Sequence, residues 1–150
     1  MTTHLTEPTQ LLELTGQNVG TTDWYEITQA QVNRFADATG DHQWIHTDPE
    51  RAAQGPFGGT IAHGYLTLSL MPQILGEVLT VDNVTAALNY GVNKVRFPSP
   101  VPVGSKLRAT VTVTAARKKP TGIEVVFGLT YEVDGASRPA CVADVAVLYR

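Results

Sequence analysis

The stretch IAHGYLTLSLMPQILGEVL, residues 61–79, decides the fold. Its apolar residues fall on every side of a helical projection instead of along one stripe, which marks a helix enclosed on most sides. A single helix is expected over residues 62–79, kinked at Pro72, whose ring removes one backbone bond. A bilayer would also enclose such a helix. His63, Pro72, Gln73 and Glu77 interrupt the run, however, and a hydrocarbon core tolerates them badly. A protein core remains.

What encloses the helix lies downstream. Val92, Lys94 and Arg96 alternate with Asn93, Val95 and Phe97, and residues 107–113 alternate Leu, Ala, Val, Val with Arg, Thr, Thr. Residues 123–133 and 141–149 are two further strands, with hairpin turns at residues 118–122 and at Asp134-Gly135. Upstream, residues 24–27 read as a short strand. Thr28 is placed to cap a helix, with Gln31 at its third position and Ile27 and Val32 at staple spacing. Val32, Phe35 and Ala36 share one face, and Gly40 supplies the stop. Asp48 followed by Pro49 opens a second short helix that ends at Gly55. The run GPFGG, residues 55–59, is a loop.

Residues 1–20 read as a peripheral lead-in, with Leu11, Leu12 and Leu14 reaching the body. No repeat or linker divides the chain, so residues 1–150 form one domain. The order is strand, short helices, one long wrapped helix, then about four antiparallel strands. An α+β fold satisfies it: a curled antiparallel sheet wrapped around one central helix, the hot-dog arrangement.

Composition sets outer bounds. The chain has 150 residues, 43% hydrophobic and 17% charged, which suits an ordinary globular domain and not a disordered or fibrous one. A net charge of -3 leaves no overall basic field, so no nucleic-acid partner is expected, and no membrane partner either. Cys141 is the single cysteine and sits between Ala140 and Val142, where a buried thiol is expected. With no second cysteine to pair, and no apolar signal core in residues 1–10, the expected location is cytoplasmic.

Two stretches carry polar residues in Gly-rich or apolar settings: residues 40–48, GDHQWIHTD, and residues 58–65, GGTIAHGY. Asp41 lies just past a helix stop and His46 just before a helix start, in a loop pinned at both ends. A carboxylate and an imidazole held together can orient one water and move its proton. Loop stabilisation by Asp41 and a satisfied surface imidazole at His46 is the competing structural reading. Asp41, His42, His46, Asp48 and His63 are also metal-ligand types. His42 and His46 have helical spacing, but Gly40 and Pro49 argue against a helix between them, and no metal is expected. Gly64 opens the buried helix, where free N–H groups face a developing oxyanion and the missing side chain admits a carbonyl. Tight packing of helix against sheet would equally account for that glycine.

The run FADATGDHQWIHTDP, residues 35–49, resembles the hydratase motif of the MaoC-like (R)-specific enoyl-CoA hydratases, usually Gly-Asp-x-Asn-x-x-His followed by x-Asp. IAHG, residues 61–64, is similar to the start of that family's central helix. RFPSPVPVG, residues 96–104, resembles its strand-ending signature. The three motifs stand in the family's order and spacing, over about residues 16–150, and the wording is close to the NodN-like subgroup. In two places the chain departs from the pattern. Gln43 replaces the usual Asn, and Pro72 stands where many members carry a helix serine, with Ser69 one turn earlier.

The resemblance implies a homodimer that adds water reversibly to a trans-2-enoyl-CoA, giving an (R)-3-hydroxyacyl-CoA without a cofactor. Asp41 and His46 match the catalytic pair, and the Gly64 N–H the donor to the thioester carbonyl. Gln43, Phe57, His63, Tyr65, Lys94 and Arg96 are the residues expected to contact the acyl-CoA, with Lys94, Arg96, Arg117 and Lys118 as candidates for its phosphates. His63 is expected to hydrogen-bond the loop. Two other functions remain open. An acyl-CoA thioesterase needs a carboxylate on the central helix, where Glu77 stands too far along. A non-catalytic acyl-thioester binding protein would bind without turnover.

Overall fold

Four long strands follow from the alternation and turns of the second half of the chain. In the computed structural model, which describes residues 2–150, they are β5 (Ala87–Arg96), β6 (Lys106–Lys119), β7 (Gly122–Val133) and β8 (Cys141–Tyr149). The turn between β6 and β7 sets Lys119 opposite Gly122, and the antiparallel ladder then runs back to Leu107 opposite Val133. Two short strands, β2 (Asn18–Thr21) and β3 (Tyr25–Glu26), also pair with β6. The sheet order is β2-β6-β7-β8-β5.

Period-2 patterning then decides what lies inside. Leu107, Ala109, Val111 and Val113 of β6 alternate with less buried neighbours, and Val125, Phe127, Leu129 and Tyr131 of β7 do the same. Each large apolar side chain removed from water contributes roughly 1.5–3 kcal/mol, so these rows dominate the packing energy. Against them lies the apolar helical run, with Leu66, Leu70, Met71, Ile74, Leu75 and Val78 all buried. Cys141 is buried at the head of β8, and burial pushes its thiol up to about 11. Among the described residues no helix is long and apolar enough to cross a membrane.

The helical run differs from expectation in one respect. It is two helices, α4 (Gly64–Ser69) and α5 (Met71–Val78), with a break at Leu70. Pro72 is the second residue of α5, where a missing N–H costs nothing. A continuous helix would have needed that N–H for the carbonyl of Leu68. Instead the buried Tyr131 hydroxyl of β7 donates to the Leu68 carbonyl at 3.1 Å, and the break is satisfied from the sheet. Ser69 bonds within its own helix, its hydroxyl donating to the Leu66 carbonyl at 2.7 Å.

The lead-in is likewise not peripheral. β1 (Thr3–Leu5) pairs in parallel with β4 (Leu79–Val81), which continues directly from α5. A 3₁₀ turn at Pro8–Glu13 buries Leu11 completely, and β2 extends the main sheet. Leu11, Leu12 and Leu14 are therefore part of the body, because an apolar cluster that dense is worth burying.

Candidate active site

Capping aims the first segment. The Thr28 hydroxyl accepts the Gln31 N–H at 3.1 Å and starts α1 (Gln29–Thr39). Gly40 ends it in the left-handed region, φ 82°, a conformation that glycine adopts without a Cβ clash. The chain turns there and presents Asp41, whose Oδ1 accepts the Gln43 N–H at 3.4 Å. One turn of helix follows, α2 (Trp44–Thr47), which the expected loop between Gly40 and Pro49 lacked. Asp48 then caps α3 (Pro49–Ala53), its Oδ1 accepting the Arg51 N–H at 3.1 Å.

The second segment is stitched to the first and to the strand connection. The Ile61 N–H donates to the Ile45 carbonyl at 3.0 Å, and the Ala62 N–H to the Val101 carbonyl at 2.8 Å. Residues 41–46, 60–64 and 97–101 thereby meet at one place, although 60 residues of sequence separate the outermost of them.

The chemistry at that place turns on two buried imidazoles. His46 is 7% exposed and His63 2%. Their rings stack with centroids 3.9 Å apart, and Phe35 tilts against His63 with its centroid 4.8 Å away. His46 Nδ1 lies 2.7 Å from the Ile61 carbonyl, which can only accept, so Nδ1 carries the proton and Nε2 keeps its lone pair. His63 Nε2 donates to the backbone carbonyl of Asp41 at 3.0 Å, tying down the residue beside the carboxylate. Among the described residues His63 Nδ1 has no hydrogen-bond partner, although it is buried.

One carboxylate oxygen of Asp41 and one ring nitrogen each of His46 and His63 lie within 4.8 Å of one another. Two hydrogen bonds of ordinary length meeting at one water span roughly 4.6 Å. The carboxylate of Asp41 and the imidazole of His46 are thus at the separation that one shared water bridges. Asp41, His46 and His63 are also metal-ligand types gathered this closely, so an ion is the competing occupant of the same place. His42 stands outside the cluster, exposed, 3.8 Å from Asp37. His42→Ala is expected to leave activity within about twofold of wild type, and EDTA to leave the rate unchanged; a metal-restorable loss in EDTA would overturn this.

His46 opens onto a mostly apolar cleft of about 360 Å³ lined by Phe57, Ala62, Gly64, Thr67, Phe97 and Val101, among others. Gly64 is the first residue of α4, so no carbonyl within the helix receives its N–H. A Cβ built on Gly64 would come within 3.2–3.3 Å of the Phe97 ring, so the glycine is what keeps this approach open.

The structure divides the expected substrate contacts. Phe57 and Gly64 line the cleft, and His63 lies behind His46 as its stacking partner. Gln43 faces solvent as the residue before α2 and bonds through its backbone. Tyr65 is 73% exposed, edge-on to Phe97 and outside the cleft. Lys94 and Arg96 lie on the edge strand β5 beside Asp144, where they line a separate surface cleft of about 320 Å³. Arg117 pairs with the buried Glu124, which Lys119 also contacts. Sequence reading missed Gln29, a half-buried side chain that bonds the backbone of His46. It also left Phe97 as a signature letter, although its ring forms the wall opposite Gly64.

A carboxylate and an imidazole held together near an apolar cleft and a helix N-terminus are suited to adding water across an activated double bond, or removing it. On a curled sheet around a helical core, that combination defines the hot-dog hydratases and dehydratases. The chain belongs to the MaoC like domain family, whose model matches residues 11–134. It is 56% identical over 135 residues to 3-hydroxyacyl-thioester dehydratase Z of Mycobacterium tuberculosis (strain ATCC 25618 / H37Rv), covering 89% of each chain. Nodulation protein N of Rhizobium leguminosarum bv. viciae is 42% identical over 132 residues, which cover 86% of this chain and 82% of that one. The solved (R)-hydratase from A. caviae involved in PHA biosynthesis superposes with a TM-score of 0.73 at 25% identity, over 89% of this chain and 97% of that one.

Proposed function

We propose that the chain catalyses reversible hydration of a trans-2-enoyl thioester to the (R)-3-hydroxyacyl thioester, with CoA as the carrier and no cofactor. The observation that carries this reading is the buried His46 imidazole, held through Nδ1, close to the Asp41 carboxylate and lining the same cleft as Gly64. The thioester carbonyl polarises the double bond, and the Gly64 N–H stabilises the enolate oxygen. Asp41 and His46 hold the water and take its proton as oxygen bonds to the β-carbon. A proton then goes to the α-carbon, so atoms balance without an outside reagent. The relationship to a 3-hydroxyacyl-thioester dehydratase supports the substrate class.

The thioesterase reading loses support from the helix carboxylate it needs. Glu77 is exposed on α5 and its Oε2 accepts the Asp23 N–H at 3.1 Å, away from the cleft. The deciding assay follows crotonyl-CoA at its enoyl absorbance with a free-thiol readout alongside. Loss of the enoyl band without thiol release is the expected result. Thiol release would mean hydrolysis, and binding without either change would mean a non-catalytic module.

The reading includes a cytoplasmic homodimer. Among the described residues β5 is an edge strand paired only with β8, and Leu88, Tyr90 and Val92 on it are 42%, 56% and 51% exposed. An edge this long and apolar is an aggregation hazard unless another strand covers it, and a second copy does so with closed symmetry. Light scattering at micromolar concentration is expected to give the mass of a dimer, and Val92→Lys to shift it towards monomer. A monomeric wild-type mass would overturn this part.

A further inference from the structure

Gln29 sits on the first turn of α1, and every polar atom of its side chain is engaged by the site. Oε1 accepts from the Thr60 hydroxyl at 2.6 Å. Nε2 donates to the His46 carbonyl at 2.7 Å and to Asn33 Oδ1 at 3.0 Å. The amide has only one workable orientation. The His46 carbonyl accepts and cannot donate, so the NH₂ must face it and Oε1 must face Thr60.

These bonds close a ring. Gln29 holds the Thr60 side chain, the chain continues from Thr60 to Ile61, the Ile61 carbonyl accepts from His46 Nδ1, and the His46 carbonyl returns to Gln29. Each link is directional, and together they require a proton on Nδ1, which leaves the Nδ1–H form as the neutral tautomer. The α2 turn that bears His46 is a single turn with little holding power of its own. Its other direct backbone tie to this segment is the Ile61 N–H to the Ile45 carbonyl.

We propose that Gln29 is a positioning residue for His46, and that with Thr60 it holds the imidazole in the Nδ1–H tautomer with Nε2 free to take a proton. This rests on the reading of His46 as the base. Without Gln29 the His46 carbonyl loses its donor and the turn shifts. The Nδ1 bond to Ile61 then lengthens and the Nε2–H tautomer competes, removing the lone pair that the reaction uses. Displacements of about 1 Å at a reacting group cost on the order of 10²-fold, so a 10- to 100-fold fall in kcat is expected for Gln29→Leu.

Two readouts test this, and only one depends on turnover. In the long-range imidazole nitrogen spectrum of wild-type protein labelled with ¹⁵N-histidine, His46 is expected to show Nδ1 protonated and Nε2 bare. Gln29→Leu should turn that pattern into a tautomer mixture. In the crotonyl-CoA assay, Gln29→Leu should lower kcat with KM within a few-fold of wild type. Thr60→Val should resemble Gln29→Leu, Thr60→Ser should stay near wild type, and the double variant should be no slower than the worse single. Gln29→Glu keeps the side chain's shape should the leucine variant misfold. Its carboxylate favours a protonated imidazole, so the acidic limb of kcat/KM should move to higher pH. An unchanged nitrogen pattern with kcat within twofold in Gln29→Leu overturns the proposal. A tautomer shift in a protein that hydrates no enoyl-CoA would overturn the hydratase reading and leave the positioning role standing.

Discussion

Replacing Asp41 by asparagine is expected to slow hydration of crotonyl-CoA by roughly 10²–10⁴, the usual size of a general acid–base contribution. The substitution keeps shape and hydrogen-bonding capacity but takes away the charge that receives a proton. Asp41 is exposed and its one side-chain bond is a long one to Gln43, so the thermal midpoint should barely move. His46→Gln should lose activity of the same order. That ring is buried, stacked on His63 and bonded to Ile61, and an unmet buried acceptor costs about 1–3 kcal/mol, so some stability will go with it. Two groups that share one water act as a unit. The double variant should therefore be little slower than the worse single. Steady-state rates beside melting curves for the three variants check this, and an Asp41→Asn enzyme within a few-fold of wild type would refute the mechanism.

The second large effect is at the start of α4. Gly64→Val should reduce turnover by roughly 10²–10³, the loss seen when one oxyanion donor is removed elsewhere. The N–H itself survives this substitution. What changes is the approach, since even a Cβ would stand 3.2–3.3 Å from the Phe97 ring and the valine methyl groups would fill the remaining gap. Gly64→Ala should fall between the two, and trimming the wall by Phe97→Leu should return part of what the alanine costs. Valine should leave the fold and the oligomer intact. Near-normal kcat/KM in that variant would place the carbonyl elsewhere.

Local chemistry was readable wherever neighbours in sequence are neighbours in space. Thr28 and Gly40 mark the ends of α1, Asp48 and Pro49 the start of α3, and the four strands emerge from their alternation. The helix over residues 62–79 was readable as buried but not as two pieces. Pro72 reads as a kink until Tyr131, 63 residues away from Leu68, supplies the missing donor. The candidate pair lay in one short run and could be named from it. The tautomer of His46 could not, because it depends on the Ile61 carbonyl. Gln29 was invisible for a related reason: glutamine on a first helical turn is an ordinary helix former, and only the folded chain brings Thr60 and His46 to it. Lys94 and Arg96 were singled out by charge alone, and only the fold shows that they stand on the edge strand β5 beside Asp144, apart from the cleft that His46 lines.

The burial of Cys141 bears on how this protein can be measured. At pH 7.5 a thiol held at about 11 is ionised in only roughly one molecule in several thousand, and it is closed off from solvent as well. A colorimetric thiol reagent added to the folded chain should therefore react slowly with it, and a fast signal in a coupled assay belongs to released CoA. The same property makes the cysteine a built-in clock for opening of the sheet. Labelling can proceed only as fast as β8 becomes accessible, so its rate reports how often that strand parts from the core.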